Sequence, residues 1–275
     1  MCPGRIIRDL ILSAAAMLLI LSCASISPNG VGRVKCYTVS SERVPASYDG
    51  YTVAFISDIH YPSLFSRKRL GKLVKRLREE NPSILLLGGD YVTDDSYIQE
   101  LFDSLSTVKP VDGIFAVLGN HEHRNSDAVA LAMEKCGIRL LRDENVCLVK
   151  GLDSLNVFGV KDSFANDTLV ADRANAIAKA CYTILLCHTP DYAERTSSKA
   201  DLVLSGHTHG GQVTLFGLYT PVKNSAYGTR FLRGLNHTSQ GTTVITANGV
   251  GTSRKKVRFC VPSEIVLVAL RKQNK

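Results

Sequence analysis

Tryptophan is absent from this chain of 275 residues, and none of its eight cysteines forms a Cys-x-x-Cys pair. The scatter of Cys2, Cys23, Cys36, Cys136, Cys147, Cys181, Cys187 and Cys260 excludes a zinc ribbon and a dithiol redox motif. It also argues against a disulfide framework, the device of domains too small to build a sufficient core. Cys181 and Cys187 lie in an apolar run and read as core residues. Internal repeats and low-complexity tracts are missing too, which leaves the composition of an ordinary globular protein. Acidic residues are outnumbered, 25 against 33 Lys and Arg, for a formal charge of +8. That balance suits anionic substrates or an anionic membrane face and names neither. The chain is long enough for one sizeable core, so a single folded domain is expected over residues 31–275 behind an N-terminal segment, residues 1–30.

A long apolar run occurs near the N-terminus, from Leu10 to Ile26, after Arg5 and Arg8 and before Ser27-Pro28-Asn29-Gly30. It reads as an export or anchoring segment rather than part of the fold. It falls a little short of the roughly 20 residues that span a bilayer comfortably. Cleaved signal peptide, uncleaved anchor and lipoprotein signal with Cys23 as the modified residue therefore stay open. In each case the basic flank stays in the cytoplasm, so a membrane-associated or exported protein is expected, with its catalytic domain in the periplasm or cell envelope.

The informative stretch is Asp201-Leu202-Val203-Leu204-Ser205-Gly206-His207-Thr208-His209-Gly210-Gly211. A short apolar run bounded by glycine is what a covered strand looks like, and histidines just past its end are badly placed for packing. The same grammar recurs four times. Val53–Ser57 ends in Asp58-Ile59-His60, and Ser83–Leu87 in Gly88-Gly89-Asp90. Ile114–Leu118 ends in Gly119-Asn120-His121-Glu122, and Tyr182–Cys187 in His188-Thr189-Pro190. Five of the seven histidines thus sit immediately beyond such runs, which scattering by chance does not produce. Singly, Asp58 reads as a helix cap, Asn120 as a turn residue and His188 as a core histidine. Jointly they converge on one edge of a sheet, where imidazole and carboxylate make a metal site.

These blocks resemble the ordered motif of the calcineurin-like metallophosphoesterase family: Asp-x-His, Gly-Asp, Gly-Asn-His-Asp/Glu, His, and Gly-His-x-His. The resemblance spans roughly Thr52 to Gly211. Within the family the chain is similar to the membrane-associated YkuE-type branch, through Gly206–Gln212 and a late Gly-x-Gly-Thr-Ser at Gly249–Ser253. One departure is Thr93 followed by Asp94, where the family commonly carries Asp three residues after the metal Asp; neither is given a role.

The resemblance implies an α/β fold, a four-layer αββα sandwich of two mixed sheets flanked by helices. It implies two divalent metal ions, Mn²⁺, Fe, Zn²⁺ or Mg²⁺, with Asp58, His60 and His209 on one, Asn120, His188 and His207 on the other, and Asp90 bridging. His121 is then not a ligand but the group that protonates the leaving oxygen, oriented by Glu122 or Asp58. The implied activity is hydrolysis of a phosphodiester or pyrophosphate. Likeness to this branch and to UDP-2,3-diacylglucosamine pyrophosphatases implies a lipid-linked or sugar-nucleotide substrate, and a domain outside the cytoplasm favours an envelope phospholipid or wall-linked phosphoester over the cytoplasmic UDP-2,3-diacylglucosamine. Two other readings are a non-catalytic metal-binding interaction protein on the same fold, and a nucleic-acid phosphodiesterase tracking phosphates along a basic helix. The first is disfavoured because every motif residue is present, and no nucleic-acid partner is expected.

Elsewhere, Val34–Val39 reads as an edge strand. Ser66–Glu80 reads as an amphipathic helix with Leu70, Leu73, Val74 and Leu77 inward and Arg67, Lys68, Arg69, Lys72, Lys75, Arg76 and Arg78 outward. Its basic face is a solvated surface or, in the sharper reading, a membrane contact. Helices are expected at Asp94–Thr107, Ser126–Cys136 and Leu169–Ala180, and strands at Val146–Val149, Leu155–Val160, Thr242–Ala247 and Glu264–Leu270. Leu215–Asn236 reads as hairpin and loop at the site mouth, with Tyr219, Tyr227, Arg230 and Phe231 as candidate pocket residues. His123 and His237 read as surface residues.

Overall fold

Strands whose two faces are both apolar need cover on both sides, and the chain supplies it by packing two six-stranded mixed sheets against each other with helices outside. The computed structural model describes residues 3–23, 30–161, 168–195, 199–215 and 217–274. Residues 24–29, the end of the apolar N-terminal run together with Ser27-Pro28-Asn29, lie outside the described residues.

A helix α1 (Pro3–Cys23) precedes strand β1 (Arg33–Ser41). There follow β2 (Thr52–Ile56), α2 (Arg67–Glu80), β3 (Ile84–Leu87), α3 (Ile98–Leu105), β4 (Ile114–Ala116), α4 (Ser126–Lys135) and β5 (Arg139–Leu140). The second half runs β6 (Glu144–Lys150), β7 (Asp153–Gly159), α5 (Thr168–Ala180), β8 (Tyr182–Leu186), α6 (Asp191–Arg195) and β9 (Leu202–Ser205). It closes with β10 (Gly234–His237), β11 (Thr243–Thr246) and β12 (Glu264–Lys272). The first sheet is ordered β1-β12-β2-β3-β4-β5 and the second β10-β11-β9-β8-β7-β6.

Alternation along the strands sorts the core into three layers. In β2, Val53 and Phe55 face the other sheet while Ala54 and Ile56 face the helices; in β3, Ile84 and Leu86 divide from Leu85 and Leu87 in the same way. Leu70, Leu73, Val74 and Leu77 of α2, with apolar residues of α3 and α4, cover the first sheet. Ala174 of α5 and Tyr192 and Ala193 of α6 cover Phe158, Leu185 and Val203 of the second. Each such side chain contributes roughly 1.5–3 kcal/mol on burial, so the apolar runs do for the fold what the residues after them do for the site.

Several expectations shift. The helix expected over Asp94–Thr107 is broken: Asp94 accepts from Ser96 N as the cap of a 3₁₀ turn (Asp95–Tyr97) before α3, and a second such turn (Ser106–Val108) follows it. The hairpin and loop expected over Leu215–Asn236 end in β10, which begins at Gly234 and runs one residue further. Arg69, placed on the outer face of α2, is buried: it stacks 4.3 Å from the Phe65 ring and donates to the carbonyls of Gly30, Leu64 and Val250. The rest of that basic face is largely balanced by acids, Arg67 with Glu100, Lys75 with Glu79 and Arg76 with Glu80, which favours a solvated surface. The cysteines at 36, 136, 147, 181, 187 and 260 are free thiols, Cys187 buried and Cys181 half-buried. Among the described residues no helix is long and apolar enough to cross a membrane.

Candidate metal centre

Parallel neighbours bring their carboxyl ends to one edge. Ile56 pairs with Leu87 and Leu87 with Ala116 in the first sheet, and Leu186 with Leu204 in the second, so the segments carrying Asp58, Asp90, Asn120, His188 and His207 leave side by side. The two sheets are tied there by the His207 N–H, which donates to both Asp58 carboxylate oxygens at 3.2 and 3.1 Å. Room is made by glycine: a Cβ on Gly206 would stand 2.5 Å from Asp58 Oδ2. Asp58, His60, Asp90, His207 and His209 all have φ between 53 and 69°, the left-handed region that costs a non-glycine residue about 1–3 kcal/mol. Five such residues together approach the whole net stability of a domain, about 5–15 kcal/mol. They persist because strands and cross-loop hydrogen bonds such as Asp58 N to Gly89 O (2.9 Å) and His60 N to Asp90 O (3.1 Å) hold the turns in place.

The side chains form two overlapping groups. Asp58, His60 and His209 are one, with His209 Nε2 3.4 Å from Asp58 Oδ1 and 3.2 Å from His60 Nε2. His188 lies at the centre of the other, its Nε2 3.2 Å from both Asn120 Oδ1 and His207 Nδ1. Asp90 Oδ2 stands between the groups, 3.7 Å from His60 Nε2 and 3.5 Å from His188 Nε2. Donors about 2.1 Å from a shared cation stand about 3.0–3.4 Å apart, so these spacings are those of a coordination shell. Nitrogen and carboxylate donors without a thiolate suit borderline to hard divalent ions. His188 Nδ1 lies 2.7 Å from Gly88 O, and donation there turns Nε2 inward, toward the other donors. The Nδ1 atoms of His60 and His209 are buried with no hydrogen-bond partner among the described residues, while their Nε2 atoms face each other. Two neutral imidazoles gain little from that approach until a cation lies between them. The residues fit divalent metal.

Charge follows the same plan. Burial pushes His60 and His207 down to about 4 and His209 well below its ordinary value, so all three are neutral with lone pairs available. Burial also works against charge on His188, but the Asp90 carboxylate overcomes it and raises this imidazole to about 10. Asp90, despite its burial, is held well below the carboxylate range by His188, His60 and His121. Burial pushes Asp58 up to about 6 against the pull of His188.

His121 sits at the mouth of a cleft of about 530 Å³, half open to solvent, its Nε2 3.9 Å from Asp90 Oδ2 and its ring edge-on to His60. That distance brings it into reach of His60 and Asp90 as a third possible ligand group. Glu122, expected to orient His121, does something else. It is buried in the 3₁₀ turn Asn120–Glu122 and accepts from the backbone N–H groups of Asp90, Tyr91 and Gly119 at 2.9, 2.8 and 2.9 Å. Asp58 is turned to Ser57 and His207, so the carboxylate nearest His121 is Asp90.

The aromatic loop is also corrected. Phe231 is buried against Tyr227, Arg230 pairs with Glu194, and Tyr219 points to solvent. The cleft wall comes instead from Thr93, Asn224, Ser253 and Arg254. His123 and His237 are exposed. Sequence reasoning missed Arg258, buried beneath the site with its guanidinium donating to the carbonyls of His209, Asn248, Gly249, Gly251 and Val261. It holds the 248–251 loop, whose Gly251 N donates to Asp58 O at 2.9 Å. Nothing in a basic loop sequence signals such burial.

The family model for calcineurin-like phosphoesterases matches residues 51–211, more than half of the chain and all five ligand blocks. The chain belongs to this family. A calcineurin-like phosphoesterase is a hydrolase of phosphoric esters that typically uses divalent metals, and the fold and donor set described above are of that kind. Relatives include an uncharacterized metallophosphoesterase of Aquifex aeolicus, 32% identical, with 87% of this chain and 92% of that one covered. The uncharacterized metallophosphoesterase YkuE of Bacillus subtilis is 27% identical over 86% of this chain and 85% of its own. Among solved structures, TT1561 of Thermus thermophilus shares the fold, with a TM-score of 0.51 at 14% identity, over 73% of this chain and 90% of that one.

Proposed function

We propose that this phosphoesterase works through a binuclear centre, with Asp58, His60 and His209 holding one divalent ion, Asn120, His188 and His207 the other, and Asp90 shared. The observation that carries this is the position of Asp90 Oδ2, within 3.7 Å of a nitrogen from each group. Bound there, the ions supply Lewis acidity and a hydroxide for in-line attack on phosphorus. His188 gives up its inward proton on loading and is kept in orientation by the Gly88 carbonyl. His121, half open at the cleft mouth, holds the proton that passes from Nε2 to the leaving oxygen. Arg254 in the wall adds positive charge beside the phosphoryl group.

The substrate is a phosphodiester or pyrophosphate carrying an apolar group. A hollow of about 370 Å³ adjoins the cleft, sharing His209, Asn224, Ser253 and Arg254 with it and walled by Val213, Pro221, Val222 and Val257. A phosphate at the centre with a hydrocarbon portion in that hollow favours a lipid-linked ester over a sugar nucleotide. Residues 1–30 serve as the segment that brings the catalytic domain, 31–275, to a membrane or through it. Support comes from Arg5 and Arg8 ahead of the apolar run and from the exposed Ile6, Ile7, Leu10, Ile11 and Leu12 of α1. Asp90→Asn tests the centre: metal content measured by elemental analysis is expected to fall for both ions together. Retention of one full equivalent with normal turnover refutes the shared ligand.

A further inference from the structure

The rim of the cleft has a character that hydrolysis at the centre does not require. Residues 212–215 and 217–222 build it together with 253–259, joined by Thr214 N to Phe259 O and Phe259 N to Gln212 O, each 3.0 Å, and by Gln212 Nε2 to Ser253 O at 2.9 Å. On their outer side Val213, Leu218, Tyr219, Val222 and Val257 are 40 to 89% exposed. Large apolar side chains grouped like this on a soluble surface mark a site of contact. Lys223, Arg254, Lys255 and Lys256 surround them, all exposed. From Leu202 to Ser263 the chain contains no Asp or Glu, so all 25 acidic residues lie elsewhere. The basic face of α2, by contrast, carries acidic partners on its own helix and on α3.

An apolar tip inside a collar of cations with no acidic partner among the described residues is the pattern of a segment that lies in the headgroup region of an anionic bilayer. The chain also enters its folded body at this end: Arg33 N donates to Ser263 O at 3.0 Å, and Gly30 O accepts from Arg69.

We propose that the rim formed by residues 212–215, 217–222 and 253–259 docks on an anionic lipid surface, with Leu218 and Tyr219 entering the bilayer interface and Lys223, Lys255 and Lys256 at the headgroups. The hollow beside the metal centre then opens onto the lipid. This goes beyond the catalytic reading, and binding is measured apart from turnover, so either can fail alone.

The absence of tryptophan gives a direct probe. In the full chain, Leu218→Trp places a single reporter on the rim, with Tyr219→Trp as a second, near-isosteric one. Leu152→Trp places a control in the fully exposed turn between β6 and β7, at the opposite end of the parallel strands. Vesicles are equal parts phosphatidylglycerol and bromine-labelled phosphatidylcholine. Both rim reporters are expected to shift to the blue and be quenched, the control to remain unquenched. Lys255→Glu combined with Lys256→Glu is expected to weaken rim quenching at least about tenfold in lipid concentration. Rim reporters unquenched while α1 holds the protein on vesicles, equal quenching of rim and control, or no vesicle binding each overturns the proposal. An undiminished signal after the double charge reversal overturns the headgroup role.

Discussion

In the proposed mechanism His121 and Asp90 divide the work of the centre between a group that stays anionic and one that moves a proton. Asp90 is buried and tied to imidazoles of both groups, while His121 stands at the open mouth of the cleft. His121→Ala is therefore expected to keep its metals and lose roughly 10²–10⁴ in turnover. Steady-state kinetics with metal analysis checks this, and unchanged turnover removes the residue from the mechanism. That Asp58, His60, Asp90, Asn120, His121, His188, His207 and His209 gather at one edge was legible in the sequence, because each follows an apolar run of strand length; the roles proposed for them come from the family resemblance. The job of Glu122 was not. Its neighbour in sequence is His121, but the 3₁₀ turn points its carboxylate at three backbone N–H groups, and burial with the Asp90 charge raises it to about 7.

At the level of elements, the site depends on loops being held in strained turns, and Arg258 is the tie beneath them. Burial lowers its guanidinium only to about 10, so it stays charged at neutral pH and is compensated by carbonyl dipoles rather than by a paired carboxylate. Arg258→Leu leaves those carbonyls without donors and is expected to cost about 3 kcal/mol or more. That lowers Tm by roughly 6–12 °C in a domain of this size. A thermal scan and metal retention on dialysis measure the effect, and a wild-type Tm with full retention contradicts the role. Most strands were readable as short apolar runs and most helices from their period, while the two-residue edge strand β5 carries no such signal. The buried arginines Arg69 and Arg258 were not, since carbonyls from separate loops, not the local pattern, decide their burial. Phe231 misled for a similar reason: a loop aromatic looks like a pocket wall until α6 and β8 are seen to cover it.

At the scale of the whole molecule, tyrosines report on the packing of the two sheets. Burial raises Tyr48 to about 12 and Tyr51 and Tyr182 further, with a hydrogen bond to Asp112 adding to the effect at Tyr51. A phenol whose folded pKa lies above its unfolded value contributes stability that is complete below about pH 10 and is lost as pH rises through about 12. In an alkaline titration, ionisation of these tyrosines, read at 295 nm without interference from tryptophan, is expected to coincide with loss of circular dichroism. Ionisation well before unfolding contradicts the burial. The layered fold was foreseen from family resemblance and the alternation of strands and helices. The acid-free rim gains meaning only once two loops distant in sequence are zipped into one surface.

The most direct test of the binuclear phosphoesterase is hydrolysis of bis-p-nitrophenyl phosphate by the metal-stripped full chain as Mn²⁺ is added in counted equivalents. The account predicts turnover that rises to a plateau at about two ions per chain. Full turnover with no metal bound, or none with two bound, contradicts it.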